Sequence, residues 1–83
     1  SPYKYSSSAR WAEAVNADIE LAMANRGGVQ MYPTDYAKTN LKEDFAESMA
    51  LFLTDRRKLK DIAPNRERYL HNLTKMLNNR LRY

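Results

Sequence analysis

Apolar residues recur at a spacing of three and four in three stretches of the chain, residues 9–26, 41–53 and 64–81. A repeat of this kind places the apolar side chains on one face of a helix. The three faces consist of Trp11, Ala14, Val15, Leu21 and Ala22, then Phe45, Ala46, Met49, Ala50, Phe52 and Leu53, and finally Tyr69, Leu70, Leu73, Met76, Leu77 and Leu81. The pattern therefore predicts an all-α fold with three main helices.

The ends of these helices are predicted by residues with known capping preferences. The pair Gly27 and Gly28 is expected to end the first helix after residue 26, since glycine readily adopts the left-handed backbone of a helix stop. Thr39 or Asn40 is expected to cap the second helix, and Pro64 suits the first turn of the third. Residues 29–36 contain a proline and are too few for a stable helix, so an extended loop or a short strand is expected there.

Polar residues that fall between the apolar positions are expected to face solvent. Asp44, Ser48 and Asp55 are predicted on the solvated side of the second helix and just beyond it, and Arg66 on the outer face of the third. A short basic helix is expected around Arg56–Leu59.

The length bounds the organisation of the chain. With 83 residues it forms a single domain or a C-terminal fragment of a larger one. Residues 1–8 follow no period and are expected to form a flexible arm, or an arm that docks through Tyr3 or Tyr5. The chain has no cysteine, which excludes a disulfide framework and a thiolate zinc site. Its apolar runs fall far short of the roughly 20 residues that span a bilayer, so a soluble protein is expected.

The net charge of +4 is concentrated at the C-terminal end, where residues 55–83 hold nine Lys or Arg against three Asp or Glu. This asymmetry leaves open a small basic helical module that binds nucleic acid or an acidic protein partner. Its contacts would come from Arg56, Arg57, Lys58, Lys60, Arg66 and Arg68. No aromatic residue interleaves with these side chains as single-strand binding requires, so the pattern favours a solvated helix face over a nucleic-acid surface.

Glu43 and Glu47 are the first candidates for chemistry. They are one helical turn apart, so both carboxylates project from one edge of the second helix. Glu43 lies three residues after Asn40 and can complete a capping box, while Glu47 can be an ordinary exposed carboxylate; neither interpretation requires a further function. The functional alternative is that one carboxylate binds a metal ion and the other orients a ligating histidine.

Tyr36 and His71 are the remaining candidates. Tyr36 precedes the acidic helix start, where it is either a core tyrosine or a hydrogen-bond donor to a developing oxyanion. His71 is the only histidine, so the chain cannot build a two-histidine zinc site by itself. Its apolar neighbours in sequence predict a histidine at the surface or at the edge of the core.

The loop and helix start resemble the C-terminal end of the anthrax lethal factor-like zinc metallopeptidases. In that family a Tyr-small-x-Thr-Asn loop leads into a Glu-x-Phe-Ala-Glu helix, and an Ala-Pro pair opens the last helix. The matching residues are Tyr36, Ala37, Thr39, Asn40, Glu43, Phe45, Ala46 and Glu47, followed by Asp55, Arg56 and Arg57 and then by Ala63 and Pro64. The resemblance covers about residues 30–80, and the preceding helix with Trp11 is compatible with it.

The resemblance implies a role for each matching polar residue. Glu43 matches the glutamate that completes the zinc site of an HExxH motif, and Tyr36 matches the loop tyrosine that stabilises the oxyanion. Glu47 is similar to the outer partner of a zinc-bound histidine, and Asn40 to the cap that directs Glu43. The implied activity is hydrolysis of peptide bonds by zinc-activated water, in a secreted toxin or effector that acts on a protein or peptide substrate.

The chain also departs from the family pattern. It contains no HExxH, Asp44 stands where the relative carries an aromatic residue, and Ala37 replaces a glycine. The 83 residues are therefore expected to be inactive alone, either as the partner of an upstream HExxH-bearing segment or chain or as a non-catalytic relative. In an isolated chain, the Ala46 and Ala50 edge of the second helix is expected to be exposed and able to self-associate.

Overall fold

The computed structural model describes residues 8–81, which form four α-helices and one short 3₁₀ turn. The helices are α1 (Ala9–Met23), α2 (Leu41–Thr54), α3 (Arg56–Ile62) and α4 (Pro64–Leu81), and the 3₁₀ turn is Tyr36–Lys38. The predicted all-α fold is confirmed. Residues 8–81 contain no strand, so the extended-loop alternative holds for the segment before the 3₁₀ turn. Apart from Ser8, the predicted arm lies outside the described residues.

Both ends of α1 are closed by local hydrogen bonds. At its start, the Ser8 hydroxyl oxygen accepts a hydrogen bond from the Trp11 backbone N–H at 3.1 Å. At its end, the N–H of Asn25 donates to the Ala22 carbonyl and that of Arg26 to the Leu21 carbonyl, the double closure of a Schellman motif. Asn25 takes the left-handed conformation with φ of 56°, so α1 ends at Met23 and not at residue 26 as predicted.

The remaining boundaries lie close to those predicted. The Asn40 side chain caps α2, and the Asp55 carboxylate between α2 and α3 accepts a hydrogen bond from the Lys58 N–H at 3.2 Å. Asp55 is exposed as expected, and it is the N-cap of α3. The helix ends at Ile62, three residues later than the predicted short helix. None of the helices in residues 8–81 is both long and apolar enough to cross a membrane.

Trp11 stands at the centre of the core. It is completely buried, and its ring meets Phe45 of α2 and Tyr69 of α4 edge-on, with centroid distances of 5.1 and 5.3 Å. Its indole N–H donates to the Leu41 carbonyl at 3.3 Å, which ties α1 to the start of α2. The other buried apolar members of this cluster are Val15, Leu59, Ala63, Leu70 and Leu73.

The inner face of α2 carries polar residues that were predicted to be solvated. Asp44 and Ser48 are 1% and 0% exposed, and Arg66 of α4, also predicted outside, is fully buried. The prediction is wrong for these three residues because their side chains bind one another. Of the predicted apolar arc of α2, Phe45 is buried, Met49 and Phe52 are half-buried and Leu53 is exposed. Ala46 and Ala50 are exposed, as expected for the isolated chain.

Candidate functional site

Arg66 is the centre of a buried ion cluster that joins three helices and a loop. Its guanidinium binds the Asp44 carboxylate through two parallel hydrogen bonds of 2.8 Å, from Nε to Oδ1 and from Nη2 to Oδ2. Nη1 donates to Asp18 Oδ2 of α1 at 3.1 Å, and Nη2 also donates to the Met31 carbonyl at 2.8 Å. Since Asp18 is 0% exposed, all three charged groups are shielded from water.

The Asp18 carboxylate also accepts hydrogen bonds at the start of α4. Its Oδ1 accepts hydrogen bonds from the Asn65 backbone N–H at 2.8 Å and from the Asn65 side-chain amide at 3.0 Å, and Oδ2 accepts from the Arg66 N–H at 3.0 Å. The two backbone N–H groups belong to the first turn of α4, where backbone N–H groups have no acceptor within the helix itself. A residue of α1 therefore caps α4 across the core.

The polar groups of this cluster are fully satisfied. Ser48, one turn after Asp44, donates its hydroxyl to Asp44 Oδ1 at 3.2 Å. Within residues 8–81, no buried side-chain nitrogen or oxygen lacks a hydrogen-bond partner. Complete pairing is the condition under which buried charges are tolerated in a core.

The loop before α2 is fastened to the helix that it precedes. Thr34 donates its hydroxyl to Glu47 Oε1 at 2.8 Å and accepts the Ala37 N–H at 3.2 Å. Glu47 is therefore engaged in the fold and is not an ordinary exposed carboxylate. The 3₁₀ turn that includes Tyr36 packs against α2. Thr34 was not identified from the sequence as part of this arrangement, although a Thr three residues before a turn N–H is a recognised local cap.

Asn40 behaves as predicted. Its Oδ1 accepts the Glu43 backbone N–H at 2.8 Å, which fixes the first turn of α2. This hydrogen bond involves the backbone of Glu43 and not its side-chain carboxylate. Glu43 as a whole is half-buried. Tyr36 is 61% exposed, which excludes the interpretation as a core tyrosine. Of the residues that the resemblance singles out, Tyr36 is therefore exposed and Glu43 half-buried beside one helix start.

The cap has a measurable energetic consequence. Asn40→Ala is expected to lower the free energy of unfolding by about 1 kcal/mol, because the Glu43 N–H loses its acceptor. Urea unfolding followed by Trp11 fluorescence measures the change. Asn72→Ala is the matched control, since Asn72 is exposed within α4 and starts no helix. An equal loss in both variants would contradict the capping role of Asn40.

The residues described do not form a metal site on their own. Among residues 8–81 no group of three His, Cys, Asp or Glu side chains is arranged to hold a metal ion. His71 is exposed on α4, where its Nδ1 is hydrogen-bonded to Arg56 Nη2 at 2.8 Å. Glu43 can offer one carboxylate, and a catalytic zinc ion requires three protein ligands. Zinc therefore does not fit this chain unless further ligands come from another segment.

The basic alternative is weakened by the structure. Arg66, one of its six proposed contacts, is buried and occupied by two carboxylates. Arg56 pairs with Glu67 at 2.8 Å and lies over the Phe52 ring, 4.9 Å from its centroid. The exposed members that remain are Arg57, Lys58, Lys60 and Arg68.

Comparison of the chain with models of known protein families, with curated proteins and with solved structures finds no match in any of the three.

Proposed function

We propose that this chain is the C-terminal part of a zinc metallopeptidase of the HExxH-plus-Glu type, which hydrolyses peptide bonds with zinc-activated water. Glu43 supplies the third zinc ligand, and the Tyr36 phenol donates a hydrogen bond to the oxyanion. The two histidines and the general base come from an upstream HExxH-bearing segment or chain. Alone, the chain is inactive.

The observation that carries the proposal is the way in which the loop and α2 are tied together. Thr34 binds Glu47, and Asn40 binds the backbone of Glu43, so the loop is attached to the helix at two points. Tyr36 lies between Thr34 and Asn40 in the sequence; it is 61% exposed and does not belong to the buried core. An exposed tyrosine and a carboxylate held on a fastened loop and helix suit preorganised stabilisation of an oxyanion beside a metal ligand.

The outer face of α2 supports the same proposal. At about 100° per residue, Glu43, Ala46, Glu47, Ala50 and Leu53 share one face of the helix. Ala46 and Ala50 are exposed and Leu53 is 73% exposed, although an exposed helix face normally carries mostly charged residues. Small side chains one turn apart let a second helix approach closely, which suits a helix that brings histidines to Glu43. Without that helix, the same face is available for self-association.

The deciding variant is Glu43→Gln in the longer protein, extended upstream of Ser1 to include the HExxH segment. Gln keeps the shape of the side chain but removes the charge that a zinc ligand needs. We expect zinc affinity to fall by more than about 100-fold, because even the loss of an outer partner costs 10- to 100-fold. Peptide hydrolysis should be lost with it. Metal analysis after dialysis and cleavage of a mixed peptide library are the two measurements.

Glu13→Gln is the matched control, because Glu13 is exposed on α1, outside the loop and helix that carry the proposed site. It should leave zinc content and cleavage unchanged. If the extended wild-type protein binds no zinc, or if Glu43→Gln retains both zinc and hydrolysis, the proposed function is wrong.

A further inference from the structure

Arg56 lines two open clefts on the surface of α3 and the C-terminal half of α4. The first cleft, of about 480 Å³, is lined by Arg56, Arg57, Lys60 and Asp61. The second, of about 330 Å³, is lined by Arg56, His71, Thr74, Lys75, Asn78 and Asn79. We call the two clefts together the basic groove. None of the residues assigned to the proposed peptidase site lines it, so the two surfaces are separate.

The Arg56 guanidinium is held in one orientation where the two clefts meet. Its Nε donates to Glu67 Oε2 at 2.8 Å, its Nη2 lies 2.8 Å from His71 Nδ1, and its plane lies over the Phe52 ring, 4.9 Å from the ring centroid. These bonds to residues 8–81 do not use Nη1, and the Arg56 side chain is 49% exposed. A guanidinium fixed in this way offers its remaining N–H groups to an anion at little further cost in side-chain freedom.

Positive charge prevails in the basic groove. Arg57, Lys60 and Lys75 are exposed and form no ion pair with any of residues 8–81, and Asp61 is the single exposed carboxylate among the lining residues of that range. Lys75 was not among the basic contacts predicted from the sequence, whereas Arg66, which was, is buried. Because the whole chain carries a net charge of +4, an acidic partner fits the groove better than a second copy of the chain does.

The polar residues of the second cleft favour a peptide over a nucleic acid. The amides of Asn78 and Asn79 both donate and accept hydrogen bonds. A peptide main chain has N–H and C=O groups to match them, whereas phosphate groups only accept. Within residues 8–81 no Phe, Tyr or Trp lines the groove, so bases would find no ring of this kind on which to stack. Carboxylates, in turn, fit the planar fork of an arginine.

We infer that the basic groove binds an acidic segment of another protein. Arg56 pairs with one carboxylate of that segment through its remaining N–H groups, and Arg57, Lys60 and Lys75 attract further carboxylates on either side. The asparagine amides bind the main chain of the segment. This binding needs no zinc, so it stands or falls separately from the proposed peptidase activity.

Fluorescence anisotropy of a labelled oligoglutamate peptide, titrated with the 83-residue chain, measures the binding. The double variant Arg57→Gln with Lys75→Gln removes one exposed cation from each cleft. We expect its dissociation constant to rise by about tenfold, because the loss of one exposed charge pair weakens binding by up to about fivefold. Fluorescence of the buried Trp11 verifies that the variant is folded.

Lys58→Gln with Arg68→Gln is the matched control. It removes two exposed cations from the same two helices, but neither residue lines the groove. Its dissociation constant should rise by less than about threefold. Equal weakening by the two double variants would overturn the inference, because the net charge and not the groove would then bind the peptide.

Arg56→Lys tests the held guanidinium, because lysine keeps the charge and loses the planar fork. We expect binding to weaken by about fivefold, and unchanged binding would overturn the inference. It is also overturned if the wild-type chain binds oligoglutamate no more tightly than oligoglutamine of the same length. Duplex DNA is the competing probe: tighter binding of DNA than of oligoglutamate, lost in the Arg57 and Lys75 double variant, would make the partner a nucleic acid and the inference wrong.

Discussion

Arg66→Met alone is expected to lower the free energy of unfolding by about 3–5 kcal/mol. The substitution leaves Asp18 and Asp44, which are 0% and 1% exposed, with no cation in the core. It also removes the donor to the Met31 carbonyl. A domain of this size has a total stability of about 4–12 kcal/mol, so this loss removes a large part of it.

Urea unfolding followed by tryptophan fluorescence measures this effect directly, since Trp11 is the single tryptophan and is fully buried. Arg68→Met makes the same chemical change at an exposed position of the same helix and should alter stability by at most about 0.5 kcal/mol. Similar small losses in both variants would show that the two aspartates do not depend on Arg66.

The double variant Asp44→Leu with Arg66→Met should recover only part of the stability that the single variant loses, because Asp18, which is 0% exposed, still has no cation. The two positions are in direct contact, and such neighbours are not additive.

The parts of the fold that depend on local sequence could be predicted. The cap at Asn40, the start of α4 at Pro64 and the all-α class follow from spacing and from residues whose preferences act within one or two turns. The early end of α1 was missed because Asn25, not a glycine, takes the left-handed position. Asparagine tolerates that conformation, but glycine is the commoner choice.

The buried ion cluster was missed because the sequence analysis assigned polar residues to the surface. Asp18 and Arg66 are 48 residues apart, and their burial is tolerable only after α1 and α4 have packed. A signal was nevertheless present. Asp18 lies three residues after Val15 on the Trp11 face, and Arg66 lies four residues before Leu70, so each occupies a core position of its helix. Charges of opposite sign on two apolar faces indicate an internal pair.

The candidate site was predicted in part. Asn40 caps the helix as expected, and Tyr36 is exposed, which leaves it free for the oxyanion role. The Thr34 bond to Glu47 and the link from Asp44 to the core were not foreseen, because both depend on how the loop folds back on α2. The zinc-ligand role of Glu43 is a proposal that the Glu43→Gln experiment addresses, and the oxyanion role of Tyr36 is likewise a proposal.

Trp11→Ala is expected to lower the free energy of unfolding by about 3–5 kcal/mol, the usual cost of removing a large buried aromatic side chain. The loss combines the cavity left by a fully buried indole with the two edge-on contacts to Phe45 and Tyr69. It also removes the N–H that binds the Leu41 carbonyl at the start of α2. Far-ultraviolet circular dichroism during urea unfolding is the measurement, because the variant has no tryptophan.

Tyr36→Ala is the informative comparison for Trp11→Ala. It also truncates an aromatic residue next to α2, but Tyr36 is 61% exposed, so the free energy of unfolding should change by less than about 1 kcal/mol. A large loss would mean that the Tyr36 ring is used by the fold and would weaken its proposed role at the oxyanion. A small loss, beside a large one for Trp11, is the result expected if the fold does not depend on the Tyr36 side chain, as its proposed role at the oxyanion requires.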